Sequence, residues 1–217
     1  MTNKYTAQDF LSDCSSGQIT GSYKVAGNEN EKPLTELTQA EWSQVTYLDL
    51  SGNELTNVSA LFGMTALTWL DLSCNRLTDV SPLSGMTKLT TLDLSNNLLT
   101  DVWPLSNLTE LEYLILSNNR LTDVSALRAL TQLVYLYLNR NRLTDVAALI
   151  GLTKLNWLDL SDNKLTDVSP LLRLTQLNTL DLSDNELQDV SDFLDLTQLA
   201  WLGLDGNPLA EKGVDDE

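Results

Sequence analysis

Leu155 to Gln176 reads LNWLDLSDNKLTDVSPLLRLTQ, and this stretch decides the fold because it recurs without a gap from Val45 to Leu204. The period is 22 residues. Copies open on Val45, Leu67, Leu89, Leu111, Leu133, Leu155, Leu177 and Leu199, and an asparagine follows eight places later, from Asn53 through Asn163 to Asn207. A fixed period over this length marks a solenoid, in which each unit buries its apolar side only against its neighbours.

Within the unit, Leu158 and Leu160 alternate with Trp157 and Asp159, the period-two pattern of a short strand with its leucines inward. One such strand cannot bury its leucines alone, so the copies are expected to stack into a parallel sheet over a continuous leucine core. The asparagine column, represented by Asn163, reads as a ladder of side-chain amides pairing backbone groups of the turn and of the following repeat. Leu165 and Val168 are expected to point inward from the return limb. Ser169-Pro170, and Ser81-Pro82 before it, resemble a helix N-cap followed by proline at the first helical position. Leu171 and Leu174 then close one helical or 3₁₀ turn on the outer face.

The pattern L-x-x-L-x-L-S-x-N-x-L-T-D-V-S-P-L-x-x-L-T-x resembles the 22-residue leucine-rich repeat of bacterial internalin-type proteins over nearly three quarters of the chain. The resemblance implies an α/β fold: a curved leucine-rich repeat solenoid, with the parallel β-sheet on the concave face and short helical or 3₁₀ turns on the convex face. Relatives of this type suggest adhesion or host-interaction roles.

Three segments follow: a cap over 1–44, the repeats over 45–204 and a short acidic cap or tail over 205–217. Thr6 to Leu11 reads as a short helix. Tyr23-Lys-Val25 with Asn28, and Pro33 to Thr38, echo parts of the repeat and suggest a degenerate first copy. Asn28 to Lys32 between them reads as a polar, mobile loop. Thr38-Gln-Ala-Glu41 is a capping-box pattern that carries Trp42 inward. At the far end, the leucines of the last repeat are expected to be only partly covered. Either the natural protein continues there, or that end pairs with a second copy as a homodimer.

The 217 residues carry 30 acidic and 13 basic side chains, a net charge of −17, so nucleic acid and anionic membrane surfaces are poor partners and a basic protein surface is attracted. No stretch is long and apolar enough for membrane insertion, and Met1 to Tyr23 lacks the pattern of a signal peptide. As given, the chain reads as cytoplasmic, or as secreted or cell-surface where a leader has been removed. Cys14 and Cys74 lack metal-ligand spacing and read as free thiols, and the sequons at Asn57 and Asn107 as coincidence. With no histidine anywhere, histidine-based nucleophile activation and zinc ligation are excluded, and no glycine-rich phosphate loop occurs. The chain is therefore read as no enzyme, with no cofactor and no metal.

The informative positions are on the outward face of the strands. One column reads Tyr47, Trp69, Thr91, Tyr113, Tyr135, Trp157, Thr179 and Trp201. Its neighbour holds Asp49, Asp71, Asp93, Asp159 and Asp181 but switches to Ile115 and Tyr137 in two central copies. The aspartates would stand about 5 Å apart and read as a solvated acidic surface, or as a cation site. Tyr113, Ile115, Tyr135, Tyr137, Trp157 and Arg140 form an aromatic and arginine patch in an acidic frame, with Tyr47, Trp69 and Trp201 along the same column. Tyr, Trp and Arg concentrate binding energy at interfaces, so the patch is read as the contact surface for a protein partner. Stacking of aromatics along a ladder is the simpler use of such a column. A carbohydrate or small-ligand receptor, and a spacer in a longer protein, are the alternative functions. Arg76, Arg120, Arg142 and Lys164 form a rim stripe expected to neutralise neighbouring aspartates, and Trp103 is read as a packing variant of the outer turn.

Overall fold

The computed structural model describes residues 22–25, 39–194 and 198–209. Nine strands form one sheet in chain order: β1 (Ser22–Val25), β2 (Val45–Asp49), β3 (Trp69–Asp71), β4 (Thr91–Asp93), β5 (Tyr113–Ile115), β6 (Tyr135–Tyr137), β7 (Trp157–Asp159), β8 (Thr179–Asp181) and β9 (Trp201–Gly203). From β2 to β9 all pairings are parallel and in register, so every repeat position stands beside its own counterpart 22 residues on. The sheet is the concave face of a curved solenoid. The strands are short because only one leucine separates the two outward columns before the chain turns.

The inward leucines behave as the alternation demands. Leu158, Leu160 and Leu165 have no exposed surface, and Leu171 and Leu174 close the outer layer at 1% exposure. On the convex side the return limb is a 3₁₀ turn in each central repeat, such as Ser169–Arg173, with the Leu171 amide donating to Val168 and the Leu174 amide to Leu171, both at 2.9 Å. Helix α1 (Gln39–Trp42) places Trp42 in the core at 4% exposure, as its pattern predicts. Helix α2 (Ser191–Leu194) replaces the 3₁₀ turn in the seventh repeat. Leu199, Leu202 and Leu204 of the last repeat are only partly buried, in contrast to Leu155, Leu158 and Leu160.

Three details differ from the sequence reading. The ladder asparagine ties its own repeat to the preceding one, not to the next: Asn163 Nδ2 donates to Leu160 and to Leu138, both at 3.0 Å, and Asn163 Oδ1 accepts from Leu143 at 3.0 Å. The outer turn is not capped by Ser169. Asp167 Oδ1 accepts from the Ser169 amide at 2.8 Å, so a side chain two residues earlier fixes the backbone and Ser169 is already inside the turn. Finally, Tyr23–Val25 is a strand, but β1 runs antiparallel to β2, with Ser22 opposite Asp49, whereas a copy of the repeat would run parallel. The expected helix at Thr6, the loop after Asn28, the second echo from Pro33 and the tail after Leu209 lie outside the described residues.

The residue before each ladder asparagine adopts positive φ: Gly52, Cys74, Asn96, Asn118, Arg140, Asp162, Asp184 and Gly206, between 53° and 73°. Glycine, asparagine and aspartate accept this conformation at little cost, whereas Cys74 and Arg140 bear the Cβ clash in full.

Candidate functional site

The register places the outward aromatics in one row, and the two threonines divide that row into three groups. Tyr47 stacks on Trp69 with ring centres 4.0 Å apart and planes 10° from parallel. Thr91 follows. Tyr113 then stacks on Tyr135 at 4.2 Å and 12°, and Trp157 stands on the next strand. Thr179, 8% exposed, separates this group from Trp201, which is 48% exposed on β9. The ring of Trp201 lies over Gly203, where a Cβ would approach its Cη2 to 2.6 Å.

The central group gains depth from the second column. Ile115 and Tyr137 are direct neighbours on β5 and β6, and the Tyr137 ring meets Trp157 at 6.0 Å with a 35° tilt. Tyr113 and Trp157 are 39% and 37% exposed, while Ile115, Tyr135 and Tyr137 are half-buried, so the five side chains form one accessible window on three consecutive strands. Arg140 lies at the turn after β6, exposed, with Nε 4.0 Å from Asp162 Oδ2.

The aspartate column has a local duty that its spacing from serine could have signalled. Asp159 Oδ1 accepts from the amide and the hydroxyl of Ser161 at 3.0 and 2.7 Å. The same amide bond is made by Asp49, Asp71, Asp93 and Asp181 to the serine two places on, at 2.8 to 3.0 Å. The column is thus a row of turn caps. At Ile115 and Tyr137 no carboxylate stands before Ser117 and Asn139, whose side chains instead pair with each other across the strands. Among the described residues, no group of three potential metal ligands comes together.

Charge around the window is uneven. Asp93 and Asp159 are the carboxylates on either side of it along their column. Burial lifts both above the ordinary aspartate value, opposed by the bonds from Ser95 and Ser161 and assisted by Asp71 and Asp181 respectively. Tyr137 is raised by burial and then by Asp159, and Tyr113 chiefly by its hydrogen bond with Tyr135.

On the rim, Arg76 pairs with Glu54 at 3.1 Å, but Arg120, Arg142 and Lys164 are exposed and, among the described residues, have no carboxylate within 4.0 Å. The expected ion pairs with aspartates are not formed by these three: in the same repeats Asp123, Asp145 and Asp167 accept from the backbone amides of Ser125, Ala147 and Ser169. Trp103 stands at the start of the turn Trp103–Leu105 and is 53% exposed, so its indole is not buried there.

Family models described as leucine-rich repeats match residues 38–77, 65–108, 109–151 and 153–200. Among solved structures, the internalin inlF of Listeria monocytogenes is 31% identical with a TM-score of 0.80, covering 94% of this chain and 57% of its own. The internalin C2 of the same species is 32% identical at a TM-score of 0.78, covering 84% and 81%. A leucine-rich repeat protein of Leptospira interrogans is 29% identical at 0.74, covering 79% and 46%. The chain therefore spans little more than half of the length of inlF. Among curated proteins nothing matches.

Proposed function

Because the chain belongs to the leucine-rich repeat proteins, with repeats of the bacterial internalin type, we propose that it is a protein-recognition module without catalytic activity that holds its partner on the concave face. Proteins of this type are generally interaction modules, and no catalytic family is indicated. The contact surface is the window of Tyr113, Ile115, Tyr135, Tyr137 and Trp157, with Arg140 at its edge and Tyr47, Trp69 and Trp201 as outlying contacts.

The observation that carries this reading is the loss of two turn caps at the centre of the sheet. Where five repeats spend an aspartate on holding the serine amide, β5 and β6 present Ile115 and Tyr137. Each loss forgoes a bond worth about 1 kcal/mol. Each also leaves apolar surface open to water, which serves neither solubility nor folding. Departures of this kind from a local rule concentrate at functional positions. Arg140 adds to the pattern, since it stands at positive φ in a column that otherwise uses Asn, Asp or Gly in all repeats but that of Cys74.

Aromatic side chains would supply the affinity, and the flanking aspartates would select basic groups at the edge of the partner. A sugar platform is less well supported, because Tyr113 and Tyr135 cover each other's faces instead of leaving them open for a pyranose ring. Capture of a protein from native lysate is the test. The variant carrying Tyr135→Ala, Tyr137→Ala and Trp157→Ala should lose that capture with thermal unfolding little changed. Undiminished capture by the triple variant would overturn the proposal.

A further inference from the structure

The aspartate column changes on β5 and β6, and a second column changes over a stretch that includes both repeats. The aromatic and aliphatic window occupies β5 to β7, and the position just after the ladder asparagine is basic in those same repeats, as Arg120, Arg142 and Lys164. Outside them that position is Glu54, Arg76, Leu98, Glu186 and Pro208, and the one cation among these, Arg76, is neutralised by Glu54. Strand spacing sets the backbones of these three positions about 5 Å apart along the solenoid, so three like charges are carried on adjacent coils. In a chain with 30 acidic residues, three adjacent cations without an ion pair among the described residues stand out from the protein's own chemistry. Arg140, held at positive φ on the middle repeat, lies between this row and the window in chain order and is paired with Asp162 at 4.0 Å.

We propose that Arg120, Arg142 and Lys164 form a carboxylate-reading rail beside the window, and that the segment docking there is an aromatic or aliphatic stretch of a protein partner flanked by Asp or Glu. The inference rests on the recognition reading and adds the chemistry of the partner along one edge. Arginine suits this task because its planar fork can hold a carboxylate through two parallel bonds. The overall charge of −17 works against an acidic partner at long range, so the rail acts at contact and decides orientation more than encounter rate. Basic groups opposite Asp93 or Asp159 remain compatible with it, because those carboxylates belong to a different column of the sheet.

A display library of random dodecapeptides tests this without a known partner. Three baits are compared: the parent chain, a rail variant with Arg120→Gln, Arg142→Gln and Lys164→Gln, and a window variant with Tyr135→Ala, Tyr137→Ala and Trp157→Ala. The parent should select peptides rich in aromatic residues and in Asp or Glu. The rail variant should keep the aromatic preference and lose the acidic one, and parent-selected acidic peptides should bind it about tenfold more weakly. Equal Asp and Glu content in the peptides selected by parent and rail variant would overturn the rail and leave the window standing. Selection by the window variant of the same peptides as the parent would remove the recognition reading, and the rail with it.

Discussion

Asn163 Nδ2 donates to the Leu138 carbonyl at 3.0 Å across 25 residues of sequence, while its Oδ1 accepts from Leu143 across 20. A single buried side chain thus joins two coils through both ends of its amide, and its further bonds to Leu160 and Ser161 close its own turn. Substituting Asn163→Ala strands several buried backbone groups at about 1–3 kcal/mol each, so the expected loss is about 3 kcal/mol or more. The terminal rung Asn207 is only partly buried, and Asn207→Ala should cost clearly less. Urea unfolding of the two variants checks both the size and the order.

Much of this architecture is legible in the sequence because burial alone dictates it. Leucines at alternate places can only face one way, so the sheet, the core and the outward columns follow from the period. Direction is harder. The alternation in Tyr23–Val25 is the same whichever way the strand runs, and its antiparallel pairing with β2 leaves no trace in the pattern. Hydrogen-bond partners are also ambiguous from spacing: Asp167 and Ser169 are both turn-capping residue types, and Asp167 wins because its carboxylate reaches the amide two residues on. Ile115 and Tyr137 are visible in the sequence as departures from the aspartate column, but the threonine breaks acquire meaning only once Tyr113 and Tyr135 are seen stacked as a separate group.

Arg140 stands at φ 55° where Asn96 and Asn118 occupy the same place in the two preceding repeats. Arg140→Asn should therefore stabilise the fold by about 0.5–1 kcal/mol, since asparagine adopts this conformation more readily. The ion pair with Asp162 is exposed at 4.0 Å and returns little. Thermal unfolding measures the gain, and a lower midpoint would show that Arg140 is held by contacts that offset its backbone.

The glycine at the end of the aspartate column is a second conformational test. Gly203→Ala would set a Cβ 2.6 Å from Trp201 Cη2 and 2.5 Å from Asp181 Oδ1. The ring must move, so tryptophan fluorescence should shift while the parallel register of β9 is retained. An unchanged emission spectrum would mean that Trp201 does not rest on Gly203.

Stability should respond to acid through Asp93 and Asp159. Their folded values lie above the ordinary aspartate value, chiefly through burial, so the folded state binds protons more readily than the unfolded one. Their ionised forms accordingly weaken the fold at neutral pH, and stability from these two groups rises as pH falls through the raised values. Asp123 and Asp167 work in the opposite sense. Bonds from Ser125 and Ser169 lower them, and the stability they contribute is lost as pH falls below the ordinary range. Asp93→Asn with Asp159→Asn keeps an acceptor for each serine and removes the charge. That variant should exceed the parent in stability at neutral pH, with the difference shrinking on acidification; unfolding curves across the acidic range decide it.

The central claim is that β5 and β6 give up turn caps for the sake of a partner. Ile115→Asn with Tyr137→Asn restores a side-chain oxygen before Ser117 and Asn139 without adding charge. Unfolding free energy and partner capture are then measured on the same preparation. The account predicts stability held within about 1 kcal/mol of the parent or raised, with capture lost. A marked fall in stability with capture intact would show that Ile115 and Tyr137 serve the fold and would contradict it.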